Sequence, residues 1–266
     1  MVSFESSGKY NLYDLVRLVK VLRSPEGCPW DREQTHQSIR RNFLEEAYEA
    51  VEAIDEDNPV HMCEEFGDVL TQIVFHSGIE EDAGRFTIDD VADAVVRKYL
   101  YRHPHVFGDA VAADSAAEVL INWDELKRVE KGQETTADSL ISVAKSLPAL
   151  WRAEKVQKKA AKAGFDWNDI QGALEKLREE VRELEDAISA GDNVHASREL
   201  GDVLFTAVNV GRFIDADSEV ALGGTTDTFI ARFAKMEQLI TAAGLSMDAM
   251  ELSELDEWYK KAKAMV

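Results

Sequence analysis

Apolar side chains recur at helical spacing in two well-separated stretches of the chain. In the stretch ALEKLREEVRELEDAI, the apolar positions are Leu174, Leu177, Val181, Leu184 and Ile188. The stretch NFLEEAYEAVEAI shows similar spacing in the first half of the chain. Intervals of three and four residues place side chains on one face of an α-helix. Two-residue alternation, the pattern of a half-buried strand, is scarce, and the sequence therefore predicts an all-α protein.

Breaks between helices are marked by turn-forming residues. A predicted turn at Asp57, Asn58 and Pro59 separates the first apolar stretch from the helix predicted after it. The segment SAGDN separates the second apolar stretch from its following helix in the same way. None of the five prolines lies after Pro148, so the last 118 residues (266 − 148) are free of the strongest helix breaker. Each half of the chain is therefore predicted to contain a helical hairpin.

The two halves carry nearly the same acidic heptapeptide. EEFGDVL begins at Glu64 and RELGDVL at Arg198, 134 positions later. The same offset relates a set of acidic residues: Glu45, Glu46, Glu49, Glu65 and Asp68 align with Glu179, Glu180, Glu183, Glu199 and Asp202. A polar stretch between the copies, EKGQETTADS, is predicted to be a linker. We therefore predict an internal duplication, with tandem helical-bundle domains at 1–134 and 135–266.

The composition limits which partners and which cellular compartment we expect for the protein. The 266 residues include 51 acidic and 30 basic side chains, a formal net charge of −21, and 45 % are hydrophobic. Such a charge repels nucleic acid and anionic membranes, so neither is an expected partner. The two cysteines form no disulfide framework, and we find neither a signal peptide nor an apolar run of membrane-spanning length. We expect a cytoplasmic protein.

The acidic residues are spaced as if to converge. Glu46 and Glu49 are three apart, as are Glu65 and Asp68, so each pair shares one helix face. Gly67 sits inside a predicted helix, where glycine costs about 1 kcal/mol relative to alanine, and we expect it, like its counterpart Gly201, to permit close helix contact. Two charges about 4 Å apart repel by roughly 4 kcal/mol near a protein surface, so four converging carboxylates need protons or a cation. An all-oxygen set suits Mg²⁺ or Mn²⁺.

Other interpretations of the acidic residues stay open at this point. Glutamates on helices are expected in so acidic a chain, and a duplicated domain also duplicates its solvated surface. A di-iron carboxylate bundle would need paired Glu-x-x-His motifs. The chain has this spacing at Glu33 and His36, outside both acidic hairpins.

Together these segments resemble the MazG family of nucleoside triphosphate pyrophosphohydrolases, whose signature is E-E-x-x-E, a spacer and E-x-x-D. LEEAYEAVEAI with EEFGDVL fills it once, and REEVRELEDAI with RELGDVL fills it again. GCPWDREQTH, RHPHVFGD, SLPALWRAEKVQKKA and AGFDW also resemble segments of the two-domain bacterial members. The resemblance implies an all-α NTP pyrophosphatase fold, homodimerisation, and Mg²⁺-dependent conversion of an NTP or dNTP and water to a nucleoside monophosphate and pyrophosphate, in nucleotide-pool house-cleaning.

The resemblance also implies roles for individual residues. The implied metal ligands are Glu46, Glu49, Glu65 and Asp68 in the first domain and Glu180, Glu183, Glu199 and Asp202 in the second. Glu45 and Glu179 complete the catalytic signature and would assist in positioning water or metal. Lys-x-x-x-Arg and Trp-x-x-x-Lys pairs would bind the nucleotide, and the first domain supplies Lys98, Arg102, Trp123 and Lys127.

The second domain departs from the implied nucleotide-binding pattern. Thr228 stands where the lysine is expected ahead of Arg232, and Ala262 stands where the lysine is expected after Trp258, with Lys261 one place earlier. Lys176 precedes the second acidic signature and is a further candidate for substrate binding. These departures favour an alternative for this domain, a non-catalytic acidic helical regulator that binds nucleotide or a protein partner.

Overall fold

The computed structural model describes Phe4, residues 8–108, Leu126, Glu130 and residues 132–266. Within these residues every regular element is a helix, which confirms the predicted all-α class. The chain divides into two compact units, Met1–Trp123 and Asp124–Val266. The domain boundary between residues 134 and 135 stays a prediction.

The first unit is built around one long helical hairpin. Its helices are α1 (Leu12–Arg23), α2 (Pro29–Glu33), α3 (His36–Asp55), α4 (Pro59–Asp82), α5 (Ile88–Arg102) and α6 (Pro104–Phe107). The α3 helix starts where Thr35 forms a capping box with Ser38. The α4 helix starts at Pro59, and the Asn58 side chain accepts hydrogen bonds from two backbone amides of its first turn. The predicted turn between the hairpin helices is thus confirmed.

The apolar core of the first unit lies at the end of the hairpin farthest from this turn. Val19 of α1, Ile39 of α3, and Val74 and Phe75 of α4 form the buried cluster. Ion pairs at its edge, such as Arg23 with Asp82 at 2.7 Å, also join α1 to α4. The middle of the hairpin, between core and turn, is the stretch that carries the acidic residues.

The second unit repeats the hairpin. Its helices are α7 (Thr136–Ile141), α8 (Ala149–Lys162), α9 (Ile170–Ser189), α10 (Asn193–Phe213), α11 (Ser218–Ala242) and α12 (Leu252–Lys263), with a 3₁₀ turn at Met247–Ala249. The α9 and α10 helices pack together as α3 and α4 do, and the Gln157 side chain of α8 donates a hydrogen bond to the Phe205 carbonyl of α10. A buried cluster of Met236, Ile240 and Ala262 fixes α11 against α12.

The predicted linker is partly helical. The α7 helix begins at Thr136, inside the stretch EKGQETTADS, because Thr135 and Asp138 form a capping box. The expectation that this whole stretch is a linker was therefore wrong at its C-terminal end. The capping box starts a helix here, although the weak amphipathic pattern of the stretch did not indicate one.

The expected reason for Gly67 and Gly201 was also wrong. Gly67 lies inside α4 and Gly201 inside α10, as predicted. A Cβ built at either position would meet no heavy atom of the described chain within 4 Å. Close helix contact within the unit therefore does not require glycine at these positions.

None of the helices that the structure describes is both long and apolar enough to cross a membrane. Cys28 and Cys63 are both free thiols, as the absence of a disulfide framework predicted.

Candidate metal centre

The first hairpin brings three of its four predicted ligands together. Glu46, Glu49 and Glu65 each offer a carboxylate oxygen, and these oxygens lie within 4.8 Å of one another. This geometry follows from the antiparallel hairpin, because moving one residue towards the C-terminus of α3 corresponds to moving one residue towards the N-terminus of α4. Glu49 therefore stands level with Glu65, and Glu46 stands level with Asp68. Asp68 is exposed and lies outside the group of three oxygens.

Glu65 is the most buried ligand candidate of the first cluster. It is only 8 % exposed, and its Oε2 atom is buried without a hydrogen-bond partner among the described residues. An unpaired buried acceptor costs about 1–3 kcal/mol, more when it is charged. A cation at the centre of the three oxygens would remove this cost. The all-oxygen donor set fits a hard divalent ion such as Mg²⁺ or Mn²⁺.

The electrostatic environment of Glu46 also favours a cation at this cluster. Burial raises the pKa of Glu46 above its usual value, and the negative charges of Asp68, Glu49 and Glu65 raise it further. A hydrogen bond from Gln72 opposes the rise without cancelling it. The first cluster thus has an excess of negative charge, to which Asp68 contributes although it stands outside the three converging oxygens.

The second hairpin assembles a different trio. Here Glu180, Glu199 and Asp202 offer oxygens within 4.8 Å of one another, and the predicted ligand Glu183 lies outside the group. Burial raises the pKa of Glu183, and the negative charge of Glu180 raises it further. Each hairpin therefore converges three of the four predicted carboxylates, and the two hairpins leave out non-equivalent positions.

A lysine distinguishes the second cluster. The Nζ atom of Lys176 lies 2.6 Å from Glu179 Oε1 and 2.8 Å from Glu180 Oε1. These bonds raise the pKa of Lys176 above its usual range. At the equivalent offset of 134 the first domain has the uncharged Asn42. The second cluster therefore carries a cationic side chain that the first lacks at this position.

The outer signature residues are turned to other partners. Glu45 is exposed and pairs with Arg41 one turn earlier, at 2.7 Å. Glu179 is held by Lys176. The structure thus places neither residue among the converging oxygens. His36, of the alternative Glu-x-x-His motif, contacts His76 and Glu80 instead of the acidic cluster.

Two of the first domain's predicted nucleotide-binding residues lie on α5. Lys98 and Arg102 are one helical turn apart and both half-buried, and Lys98 Nζ lies 5.8 Å from the centroid of the Tyr99 ring. Trp123 and Lys127 lie outside the described residues. The spacing of Lys98 and Arg102 confirms a shared helix face, which is what binding one anion requires.

In the second domain, Arg232 lines a surface pocket of about 410 Å³ together with Thr228, Phe229 and Tyr259. The Nε atom of Arg232 is buried without a hydrogen-bond partner among the described residues. A buried guanidinium N–H that lacks an acceptor is suited to an anion. The pocket combines this donor with two aromatic rings, whose centroids lie 5.8 Å apart.

The Trp-x-x-x-Lys position of the second domain is a core position. Trp258 packs against the buried cluster of α11 and α12, and Ala262, where the lysine was expected, is fully buried within that cluster. A lysine there would place its charge in the core. Lys261 instead extends over the Trp258 ring, with Nζ 3.9 Å from the centroid.

Sequence reasoning missed a histidine beside each cluster. His61 Nε2 lies 3.3 Å from Glu65 Oε1, and His195 Nε2 lies 2.8 Å from Glu199 Oε1. His61 also contacts Glu56 through Nδ1 at 2.9 Å, and this hydrogen bond raises the pKa of His61. The signal was present in the sequence, because each histidine stands four residues before its glutamate and the two are 134 apart (195 − 61).

Two segments of the chain match the model of a known protein family. The family model of the MazG nucleotide pyrophosphohydrolase domain matches residues 34–107 and 169–238. Both matched segments contain a complete acidic cluster. The first also contains Lys98 and Arg102, and the second contains Arg232.

Several curated proteins are similar to the chain over nearly its whole length. The nucleoside triphosphate pyrophosphohydrolase/pyrophosphatase MazG of Thermotoga maritima is 44 % identical over 250 residues, which is 94 % of each chain. The nucleoside triphosphate pyrophosphohydrolase of Escherichia coli K12 is 37 % identical over 94 % of this chain and 95 % of its own. The uncharacterized protein YabN of Bacillus subtilis is 46 % identical over 92 % of this chain and 50 % of its own.

Proposed function

The chain belongs to the MazG family of nucleotide pyrophosphohydrolases, and on this premise we propose that it hydrolyses nucleoside triphosphates. The reaction cleaves the α–β phosphoanhydride bond of an NTP or dNTP with one water, giving a nucleoside monophosphate and pyrophosphate. The observation that carries the proposal is the acidic signature, filled twice and folded twice into converging carboxylate oxygens. Its role would be nucleotide-pool house-cleaning in the cytoplasm.

The carboxylate clusters are the proposed metal centres, with Mg²⁺ as the ion and Mn²⁺ as its substitute. Glu46, Glu49 and Glu65 would hold it in the first domain, and Glu180, Glu199 and Asp202 in the second. Asp68 and Glu183 complete the two ligand sets. The bound ion would supply Lewis-acid polarisation of the phosphate oxygens.

The protein's own cations would hold the triphosphate. Lys98 and Arg102 share a helix face and would bind phosphate oxygens in the first domain. In the second domain, the buried unpaired Nε of Arg232 would take this part. The positive charge of these side chains matters most in the transition state, where it offsets the negative charge that spreads over the phosphoryl oxygens.

The remaining assigned residues have supporting parts in the proposal. Glu45 and Glu179, which are turned toward Arg41 and Lys176, would position water at the rim of each cluster. Trp123 and Lys127 would contact the nucleotide in the first domain, and Trp258 and Lys261 in the second.

A binding role without turnover is the second candidate for the second domain. The observation that favours it is the pairing of Lys176 with the cluster glutamate Glu180, together with Thr228 and the buried Ala262 at the expected lysine positions. Fewer cationic residues at the expected positions and a partly neutralised carboxylate cluster would weaken catalysis more than nucleotide binding.

The test is pyrophosphate release from a panel of NTPs and dNTPs with Mg²⁺. Glu49→Gln and Glu183→Gln each remove one charge from one domain at nearly constant volume. Glu52→Gln in α3 and Glu185→Gln in α9 are matched controls, because both are exposed and outside the signature. We expect the controls to match the wild type and at least one signature variant to lose most of its activity, about 10²-fold or more.

The outcomes separate the alternatives. Loss in one signature variant alone identifies the domain that turns over and leaves the binding role to the other. Nucleotide binding by the wild type without pyrophosphate release from any substrate would overturn the enzymatic proposal.

A further inference from the structure

A histidine contacts a buried ligand candidate of each cluster, on the same atom in both domains. His61 and His195 stand one helical turn before Glu65 and Glu199, and Nε2 of each imidazole lies at ion-pair distance from the Oε1 oxygen of its glutamate, 3.3 Å in the first domain and 2.8 Å in the second. Glu65 is 8 % exposed and Glu199 is 9 % exposed. The histidines are not among the residues that the acidic signature includes.

We propose that His61 and His195 are positioning residues that each fix a buried glutamate so that its second oxygen faces the metal ion. The proposal rests on the metal centres proposed above. Nε2 lies at ion-pair distance from Oε1, and a proton carried by Nε2 would set the rotation of the carboxylate about its last bond. In the first domain the other oxygen, Glu65 Oε2, is buried and without a hydrogen-bond partner among the described residues, which leaves it available as a ligand.

This arrangement differs from an ordinary ion pair on a helix surface. An exposed pair one turn apart stabilises a helix by only about 0.2–0.5 kcal/mol. Here the acceptor is buried, and the contact recurs at the same offset in two hairpins. Carboxylates that bind metals are commonly held by such outer hydrogen bonds, and their loss typically weakens metal binding by about 10–100-fold.

The two domains differ in what holds the histidine. In the first domain, Glu56 Oε2 lies 2.9 Å from His61 Nδ1, so His61 lies between an exposed carboxylate and the buried one. Glu56 is the C-terminal cap residue of α3, and the equivalent residue of α9 is Ala190. His195 therefore lacks the counterpart of Glu56.

The experiment is a titration of the apoprotein with Mn²⁺, followed by the electron paramagnetic resonance signal of the free ion. The variants are His61→Ala, His195→Ala, His61→Gln and His195→Gln. Glutamine carries an amide donor near the position of Nε2 and provides the conservative rescue. Val60→Ala and Val194→Ala are the controls, because each removes an exposed side chain next to one histidine.

We expect each alanine variant to weaken one Mn²⁺ site by about tenfold or more. The glutamine variants should recover most of the affinity, and the controls should bind as the wild type does. Circular dichroism melts should show little change, since both histidines are partly exposed.

Two results would overturn the proposal, and they differ in what else they overturn. Unchanged Mn²⁺ affinity in both alanine variants would remove the positioning role while leaving the metal centres and pyrophosphate release intact. Absence of Mn²⁺ binding in the wild type would remove the metal centres as well.

Discussion

At the scale of single residues, the two acidic clusters differ most in whether a basic side chain neutralises part of their negative charge. Lys176 binds Glu179 and Glu180 in the second domain, whereas the uncharged Asn42 occupies the equivalent position of the first. An ammonium group beside a ligand oxygen repels an incoming divalent ion. The same group can bind a phosphate once the ion has arrived. Lys176 is therefore expected to oppose metal binding and to support substrate binding.

Replacing this lysine should separate the two effects. We expect Lys176→Gln to tighten Mn²⁺ binding at the second cluster by about threefold, which corresponds to roughly 0.6 kcal/mol, a typical contribution of one ion pair near the protein surface. The KM for the triphosphate should rise in the same variant if the second domain turns over. Mn²⁺ titration and steady-state kinetics measure the two quantities.

Lys260→Gln is the matched control for this variant. Lys260 also pairs with acidic side chains three and four residues away, Glu257 and Asp256, but it lies on α12 and outside the acidic signature. Equal changes in Mn²⁺ affinity for the two variants would show that a general loss of positive charge, and not the position of Lys176, is responsible.

At the scale of elements, a network at Glu80 fastens the first hairpin. Glu80 near the end of α4 accepts hydrogen bonds from Arg85 at 2.5 and 2.7 Å, and its Oε1 lies 2.5 Å from His36 Nε2 at the start of α3. Arg85 first, and His36 second, lower the pKa of Glu80 from 4.5 to about 2. The network therefore ties both hairpin helices to the segment that follows α4.

The lowered pKa gives a stability that depends on pH. The folded state favours ionised Glu80, so the stabilisation is complete above about pH 4.5 and is lost as the pH falls toward 2. Glu80→Gln should lower the melting temperature at pH 7, and the difference from the wild type should shrink in acid. Circular dichroism melts between pH 7 and pH 3 measure this, with Glu52→Gln as the exposed control. A difference that stays constant with pH would contradict the assignment.

The glycines of the helices allow a second test at this scale. Gly223 lies inside α11, and a Cβ there would meet no atom of the described chain within 4 Å. Gly223→Ala should therefore raise the free energy of unfolding by about 0.5–1 kcal/mol through helix propensity. In Gly211→Ala, the matched variant in α10, the Cβ would lie 2.6 Å from Ser218 Oγ. Chemical denaturation should show a gain for the first variant alone; equal gains would mean that the Ser218 contact is relieved without cost.

The hairpins could be predicted from the sequence because their signals are local. Periodic apolar positions, the turn at Asn58 and Pro59, and the duplicated acids were sufficient to place α3, α4, α9 and α10. The exact trio of converging oxygens could not be predicted, because it depends on side-chain rotamers and on whether a neighbour such as Lys176 intervenes. Gly67 was misinterpreted for a related reason, since sequence shows the glycine but not the space around it.

At the scale of the whole molecule, exposed apolar surface favours association between copies of the chain, whereas their net charge opposes it. The α5 helix has no fully buried residue, and Val95 and Tyr99, one turn apart, are 43 % and 54 % exposed. Exposed apolar strips of this kind commonly mark interaction surfaces. A second copy of the chain is the partner that the predicted homodimer would place against this strip. Each copy carries a net charge of −21, however, and the resulting repulsion opposes association.

Homodimerisation should therefore strengthen with salt. Raising the ionic strength from about 0.01 M to about 0.15 M shortens the screening length from about 30 Å to about 8 Å, which weakens repulsion between the copies and leaves apolar contacts in place. Light scattering should show a mass that rises toward twice 29.7 kDa as salt is added. Val95→Glu should shift the equilibrium toward the monomer at every salt concentration. Val60→Glu, at a more exposed valine near the start of α4, should not. A mass of 29.7 kDa at all salt and protein concentrations would contradict the dimer, whereas equal shifts in both variants would move the interface away from α5, because added charge alone would then explain them.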